Sequence, residues 1–286
     1  MNFNCVTYFR RSKKIKFQII LLFMLSIFSL YFYNQKINKI SSLIPSYLDF
    51  KYPRIYCIVL TIPQNLKNKT KLIYDLWVNK CDGHKFISII PDEYLNNHPN
   101  IELINKTGFE INIGFDVLQP PNYMKESYGK LTDKIFNAFK YIYQQSPQFD
   151  FYLKADEDTF IFVDNLRSFL STKDRKSPVT YGYNFRIIVK NGYHSGGAGY
   201  VLSNEALSRL GNALIKNTTK FDISQLEDID VASALRKLNV LPGSSIDENG
   251  RERFHPTSIK NHYEGNNIDW LNTYGENRPK KVQNYF

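Results

Sequence analysis

From Tyr52 onward the apolar positions of the chain switch between two rhythms. "RIYCIVLTI" (54–62) is a near-continuous apolar run of strand length, whereas "NLKNKTKLIYDLWVNKC" (65–81) places Leu66, Ile73 and Trp77 at helical intervals. "KFISII" (85–90) predicts another strand, and the Asn-, Pro- and Gly-rich residues after it predict a loop. In "KESYGKLTDKIFNAFKYIYQQ" (125–145), Leu131, Ile135, Ala138, Phe139 and Ile142 share one helical face. The next strand, "FDFYLKAD", runs straight into Asp156, Glu157 and Asp158 before apolar residues resume. Strand alternating with helix predicts an α/β sheet, and in such sheets ligands collect at the carboxyl ends of the strands. The acidic triplet stands at one such end.

Three adjacent carboxylates repel one another, so packing alone does not explain them; they call for a positive partner. Asp156 and Asp158 are one residue apart, and a kinked turn lets both face a shared divalent cation through oxygen ligands. Taken alone the pair is a weak signal, because acidic turns are common on surfaces. A second acidic site, Glu227–Asp228, opens a helix whose apolar stripe is Val231, Leu235 and Leu238. Such residues complement a helix dipole, and a carboxylate there can also act as a general base. Upstream, "NGYHSGGAGYVLSNEAL" gathers Gly192, Gly196, Gly197 and Gly199 before a strand and a helix opened by Ser203. That glycine density permits close backbone approach, but its spacing is neither a Rossmann nor a P-loop fingerprint. His255, in "RERFHPTSI", is a further candidate metal ligand; a lone histidine is as readily an ordinary packed or exposed side chain.

Composition adds a compartment. With 43% hydrophobic residues the chain can bury a full core. Ahead of it, Arg10, Arg11, Lys13, Lys14 and Lys16 precede a charge-free run, 17–33, at the short end of membrane-spanning length. The expected organisation is a cytoplasmic tail (1–16), a transmembrane signal anchor (17–33), a stem (34–52) and a lumenal catalytic domain (53–286). A cleaved signal peptide fits less well, because bulky residues follow Ser29 where small ones are needed. The formal net charge is +10, and five of those charges lie in the tail, so a nucleic-acid partner is not expected. Asn68, Asn105 and Asn217 begin N-glycosylation sequons. With Cys5 in the tail, Cys57 and Cys81 are the lumenal pair, expected to be bridged in an oxidising compartment; two buried free thiols are the alternative.

The segments "PQNLKNKTKLIYDLWVNKC", "FYLKADEDTF", "GYHSGGAGYVLS", "LEDIDVASAL" and "RFHP" resemble, in order and approximate spacing, the core 1 β1,3-galactosyltransferases (T-synthases) of the fringe-related glycosyltransferase superfamily. The resemblance covers roughly 55–259. It implies a GT-A fold, a Rossmann-like mixed sheet flanked by helices. It also implies Mn²⁺-dependent, inverting transfer of galactose from UDP-galactose to the 3-hydroxyl of GalNAc on Ser or Thr of glycoproteins. By position, Asp156 with Gly196 and Gly197 would meet the donor, Asp158 and His255 would bind the metal, and Asp228 would be the base. It further implies a Golgi or ER–Golgi membrane location, with a second copy of the chain as a candidate partner.

Departures from the family pattern are Glu157 for the usual middle Asp, Ala232 and Ala234 for a Gly and a Cys, Lys220 near an expected Cys, and His194 for Met. The C-terminal tail, "IDWLNTYGENRPKKVQNYF", is also shorter and less aromatic than in the family, where that region helps hold the acceptor. Rival expectations are a fringe-like or GlcNAc-transferring β1,3-transferase, a non-catalytic chaperone and a membrane-anchored lectin.

Overall fold

The computed structural model describes residues 52–97, 102–104, 108–123, 125–146, 148–258, 260–261 and 268–277. The expected tail, anchor and stem up to residue 51 lie outside the described residues, as does Asn105. Among the described residues no helix is long and apolar enough to cross a membrane.

The elements run β1 (Ile55–Leu60), α1 (Lys71–Leu76), β2 (Gly83–Ile87), α2 (Asp92–Asn97), β3 (Glu102–Ile104), β4 (Gly108–Asn112), β5 (Asp116–Gln119), α3 (Leu131–Gln145) and β6 (Phe151–Asp156). They continue with α4 (Val163–Leu170), β7 (Val179–Gly182), β8 (Asn184–Phe185), β9 (Tyr193–His194), β10 (Tyr200–Ser203), α5 (Asn204–Lys216), α6 (Glu227–Lys237), β11 (Leu241–Pro242) and α7 (Ile268–Tyr274). Among the described residues, nine strands form one mixed sheet in the order β11-β7-β10-β6-β1-β2-β5-β4-β3, and β8 and β9 form a separate hairpin. β1 lies parallel to β2 and β6, and β10 runs antiparallel to β6.

The two-residue period of the central strands sorts the core into two layers. Ile55, Cys57 and Val59 of β1 join Phe151, Leu153 and Ala155 of β6 on the face covered by Trp77, Leu166 and Leu170. Tyr56, Ile58 and Leu60 face the other way with Tyr152, against Ile135, Phe139 and Ile142 of α3, Leu207 and Leu210 of α5, and Val231 and Leu235 of α6. Lys154 and Asp156 share the Tyr152 side of β6 by the same period. Burying each large aliphatic or aromatic side chain contributes about 1.5–3 kcal/mol, which is why these helices hold to the sheet.

Two sequence expectations change in detail. Residues 65–81 are helical but interrupted: a π turn over Leu66–Thr70 precedes α1, and Trp77 leaves helical geometry at φ −150°. Its indole N–H donates to Thr159 O at 3.1 Å, which ties this segment beneath the acidic turn. The predicted loop after Ile90 contains α2 and the β3–β4–β5 meander. β3 and β4 expose much of their surface and β5 is only four residues long, so the apolar signal is sparse; Gly114, at φ +95°, supplies the left-handed residue that the β4–β5 turn requires. A disulfide joins Cys57 on β1 to Cys81, with Cα atoms 6.1 Å apart.

Candidate active site

β6 ends at Asp156, and the turn that follows carries Glu157 and the exposed Asp158. The three acidic residues have three different situations. Asp156 is half-buried, and its Oδ1 is 2.8 Å from Lys154 Nζ. Glu157 points back into the fold: its Oε2 accepts from Thr61 Oγ1 at 2.5 Å, and Oε1 accepts from Asn65 Nδ2. The middle acid is therefore a latch between the turn and the "PQN" segment, which leaves Asp158 facing solvent. Thr159 closes the turn, its hydroxyl accepting from Asp156 N–H at 3.2 Å and donating to Gly197 O at 3.1 Å.

That last bond seats the glycine loop, Gly196–Gly199, against the acidic turn. Gly196 N–H donates to Asp228 Oδ2 at 3.1 Å, bringing the second acidic site to the same place. Pro256 approaches from a third direction: a Cβ on Gly197 would lie 3.9 Å from its carbonyl oxygen. Its neighbour Phe254 is buried against Phe169, while the His255 side chain is exposed. Asp156, Asp158, Gly196, Gly197 and Asp228, with the segment carrying His255, thus border one region at the carboxyl edge of β6.

The carboxylates opening α6 also divide by environment. Asp230 is buried and saturated, accepting from Ser224 N–H, Gln225 N–H, Ser224 Oγ and Thr132 Oγ1 at 2.6–2.9 Å. Glu227 is buried between Lys154 Nζ at 3.1 Å and Tyr200 OH at 2.6 Å. Desolvation raises its pKa against the opposing pull of Lys154. Asp228 alone of the three is half-open to solvent. Only this carboxylate is placed to meet an incoming molecule, and the order of the residues does not reveal that.

Lys154 is the positive partner that the acidic triplet demanded, and sequence reading missed it. Its side chain is 1% exposed, it pairs with both Asp156 and Glu227, and its ammonium lies 5.6 Å from the Tyr200 ring centre. Burial disfavours the charge, but Glu227 and Asp156 more than offset that and raise its pKa. The signal available in the sequence was a lysine two residues before Asp156 in an apolar strand, hence on the same face. His194 is structural: it lies under Gly182, its Nε2 is 3.0 Å from Thr180 Oγ1, and burial, aided by Arg236, pushes its pKa down to about 3.

Among the described residues no group of three or more His, Cys, Asp or Glu side chains is assembled for a metal ion. The residues present still suit a hard divalent cation of the kind that takes one or two protein carboxylates and completes its shell with phosphate oxygens and water. Asp158 is exposed at the turn, and Asp156 has one oxygen committed to Lys154.

Residues 115–194, from the residue before β5 to the end of β9 and including the acidic turn after β6, match the family described as Galactosyltransferase. The chain carries that match over 80 of its 286 residues. It is 34% identical over 213 residues to glycoprotein-N-acetylgalactosamine 3-beta-galactosyltransferase 1 of Xenopus laevis, covering 74% of this chain and 53% of the relative. It is 29% identical over 136 residues to N-acetyllactosaminide beta-1,3-N-acetylglucosaminyltransferase 4 of Mus musculus, covering 41% of this chain and 38% of the relative. To the Homo sapiens protein of the same description it is 27% identical over 136 residues, covering 41% and 35%. The chain spans about half the length, or less, of these relatives.

Proposed function

We propose that the chain is an inverting β1,3-galactosyltransferase that moves galactose from UDP-galactose to the 3-hydroxyl of GalNAc linked to Ser or Thr. The observation that carries this reading is the convergence on one glycine loop of the acidic turn after β6 and of Asp228, the open carboxylate of α6. Inversion in a single displacement needs a carboxylate on the acceptor side and charge compensation on the diphosphate side. In this reading Asp228 takes the proton from the acceptor 3-hydroxyl as that oxygen attacks the anomeric carbon and UDP leaves from the opposite face. Asp158 and His255 hold Mn²⁺, with Asp156, Gly196 and Gly197 against the nucleotide sugar. When bound, the ion offsets negative charge on the departing diphosphate. The glycine loop keeps backbone close to the sugar, with no side chain intervening.

The reading extends to cell location. Residues 17–33 act as a single-pass signal anchor that places the catalytic domain in the Golgi lumen, where the exposed Asn68 and Asn217 are open to N-glycosylation. The similarity to the β1,3-N-acetylglucosaminyltransferases favours one second reading, the same displacement with UDP-GlcNAc as donor.

The test incubates the full-length chain, in detergent with Mn²⁺, with UDP-galactose or UDP-GlcNAc and a GalNAc-Ser/Thr peptide. A β1,3-linked galactose product supports the first reading. GlcNAc transfer in its place supports the second, and a folded chain that transfers neither sugar overturns both.

A further inference from the structure

Lys154 is a fully buried lysine in a central strand, and binding a sugar nucleotide does not by itself account for it. Its ammonium meets Asp156 Oδ1 at 2.8 Å, Glu227 Oε2 at 3.1 Å and Gly196 O at 3.4 Å. The Gly196 peptide is therefore gripped on both sides: its carbonyl by Lys154, its N–H by Asp228 Oδ2 at 3.1 Å. Room for this grip exists only because residue 196 lacks a side chain. A Cβ there would stand 3.0 Å from Glu227 Oε2 and 3.3 Å from Lys154 Nζ. Glu227 is itself fixed from its other oxygen by Tyr200 OH at 2.6 Å, and Tyr200 sits directly across the β6–β10 ladder from Lys154.

We infer that Lys154 and Glu227 are positioning residues that clamp the Gly196 peptide onto Asp228, holding the base at a set distance from the donor-side carboxylate Asp156. One ammonium ties the end of β6 to the start of α6, elements 73 residues apart in the chain. A buried ion pair is costly to desolvate and contributes little net stability over an apolar replacement, so its value here lies in geometry. The inference rests on the proposed role of Asp228, and the two are separable by experiment.

Lys154→Met leaves Glu227 buried without its cation and is at risk of not folding. Glu227→Gln keeps the shape and is the decisive variant. In full-length protein labelled with ¹⁵N-glycine, the Gly196 amide, its resonance assigned by its loss in Gly196→Ala, is expected to be protected from hydrogen exchange by its bond to Asp228 Oδ2. Glu227→Gln is expected to abolish that protection and to lower kcat roughly 10- to 100-fold, the scale on which a misplaced catalytic group costs rate. Its affinity for UDP with Mn²⁺ is expected to stay within about twofold of wild type, since the loss is confined to the transfer step. Unchanged protection of the Gly196 amide overturns the inference, whether or not the wild-type chain transfers galactose. So does a parallel loss of UDP affinity, kcat and melting temperature, the mark of general loosening. A wild-type chain that transfers no sugar yet loses its Gly196 protection on Glu227→Gln defeats the catalytic reading and leaves the clamp standing.

Discussion

Replacing Asp228 with Asn tests the acceptor side of the site with little change of shape. Both carboxylate oxygens accept backbone N–H groups, Oδ2 from Gly196 at 3.1 Å and Oδ1 from Ile229 at 2.9 Å. An amide has one acceptor oxygen, so in either orientation its NH₂ faces one of those donors. The stability cost is that of one charge-assisted hydrogen bond at a half-exposed position, about 1–3 kcal/mol, which is a fall of a few degrees in Tm. The effect on rate is larger. Losing a general base costs roughly 10²- to 10⁴-fold in transfer, or about 3–5 kcal/mol of barrier. Affinity for UDP and Mn²⁺ is expected to stay near wild type, because in the proposed reaction the residue faces the acceptor. A carboxylate that merely complements the helix dipole contributes about 0.3–1 kcal/mol to stability and nothing to turnover. Calorimetry for the donor and product formation for the transfer, on one preparation, separate the two accounts. A folded Asp228→Asn enzyme with near-normal turnover refutes the assignment. The adjacent carboxylates are poor replacements, since Asp230 is saturated by donors and Glu227 is buried against Lys154.

Asp158→Asn removes one charged oxygen from the exposed end of the turn, so activity and Mn²⁺-dependent UDP binding are expected to fall together and EDTA to reproduce the loss; full activity with chelator present contradicts a metal role. The Cys57–Cys81 bridge spans 24 residues of chain, and reducing it is expected to cost roughly 3 kcal/mol, read as a lower Tm in reductant; alkylation of both thiols in the native protein contradicts the bridge. His194 has its pKa lowered from 6.5 to about 3, so below pH 6.5 the unfolded chain binds a proton that the folded chain refuses. Stability is therefore retained above pH 6.5 and lost toward acid at about 1.4 kcal/mol per pH unit for this group, and His194→Met is expected to remove that share of the slope in denaturant titrations between pH 5 and 6.5; an unchanged slope contradicts burial of a neutral ring.

Local pattern was enough to predict β1, α3, β6 and α6, because each carries its period within a few residues and buries the side chains that the period marks, such as Ile135, Ala138, Phe139 and Ile142. The cap at Ser203 was legible for the same reason, its hydroxyl accepting from Ala206 N–H three residues on. The carboxylates at the end of β6 stood out because an apolar strand does not end in three acids for packing alone. The assignment of roles among the acids came only from tertiary contacts. Glu157 is a latch because Thr61, 96 residues away, donates to it, and Asp230 is structural because Thr132, 98 residues away, fills it. Lys154 reads in sequence as an interruption of a core strand until Glu227 and Gly196 fold over it. Periodicity records which way a side chain points along its own element. Which carboxylate keeps a face open to solvent depends on partners supplied by other elements, and those partners are fixed only when the sheet and its helices close on one another.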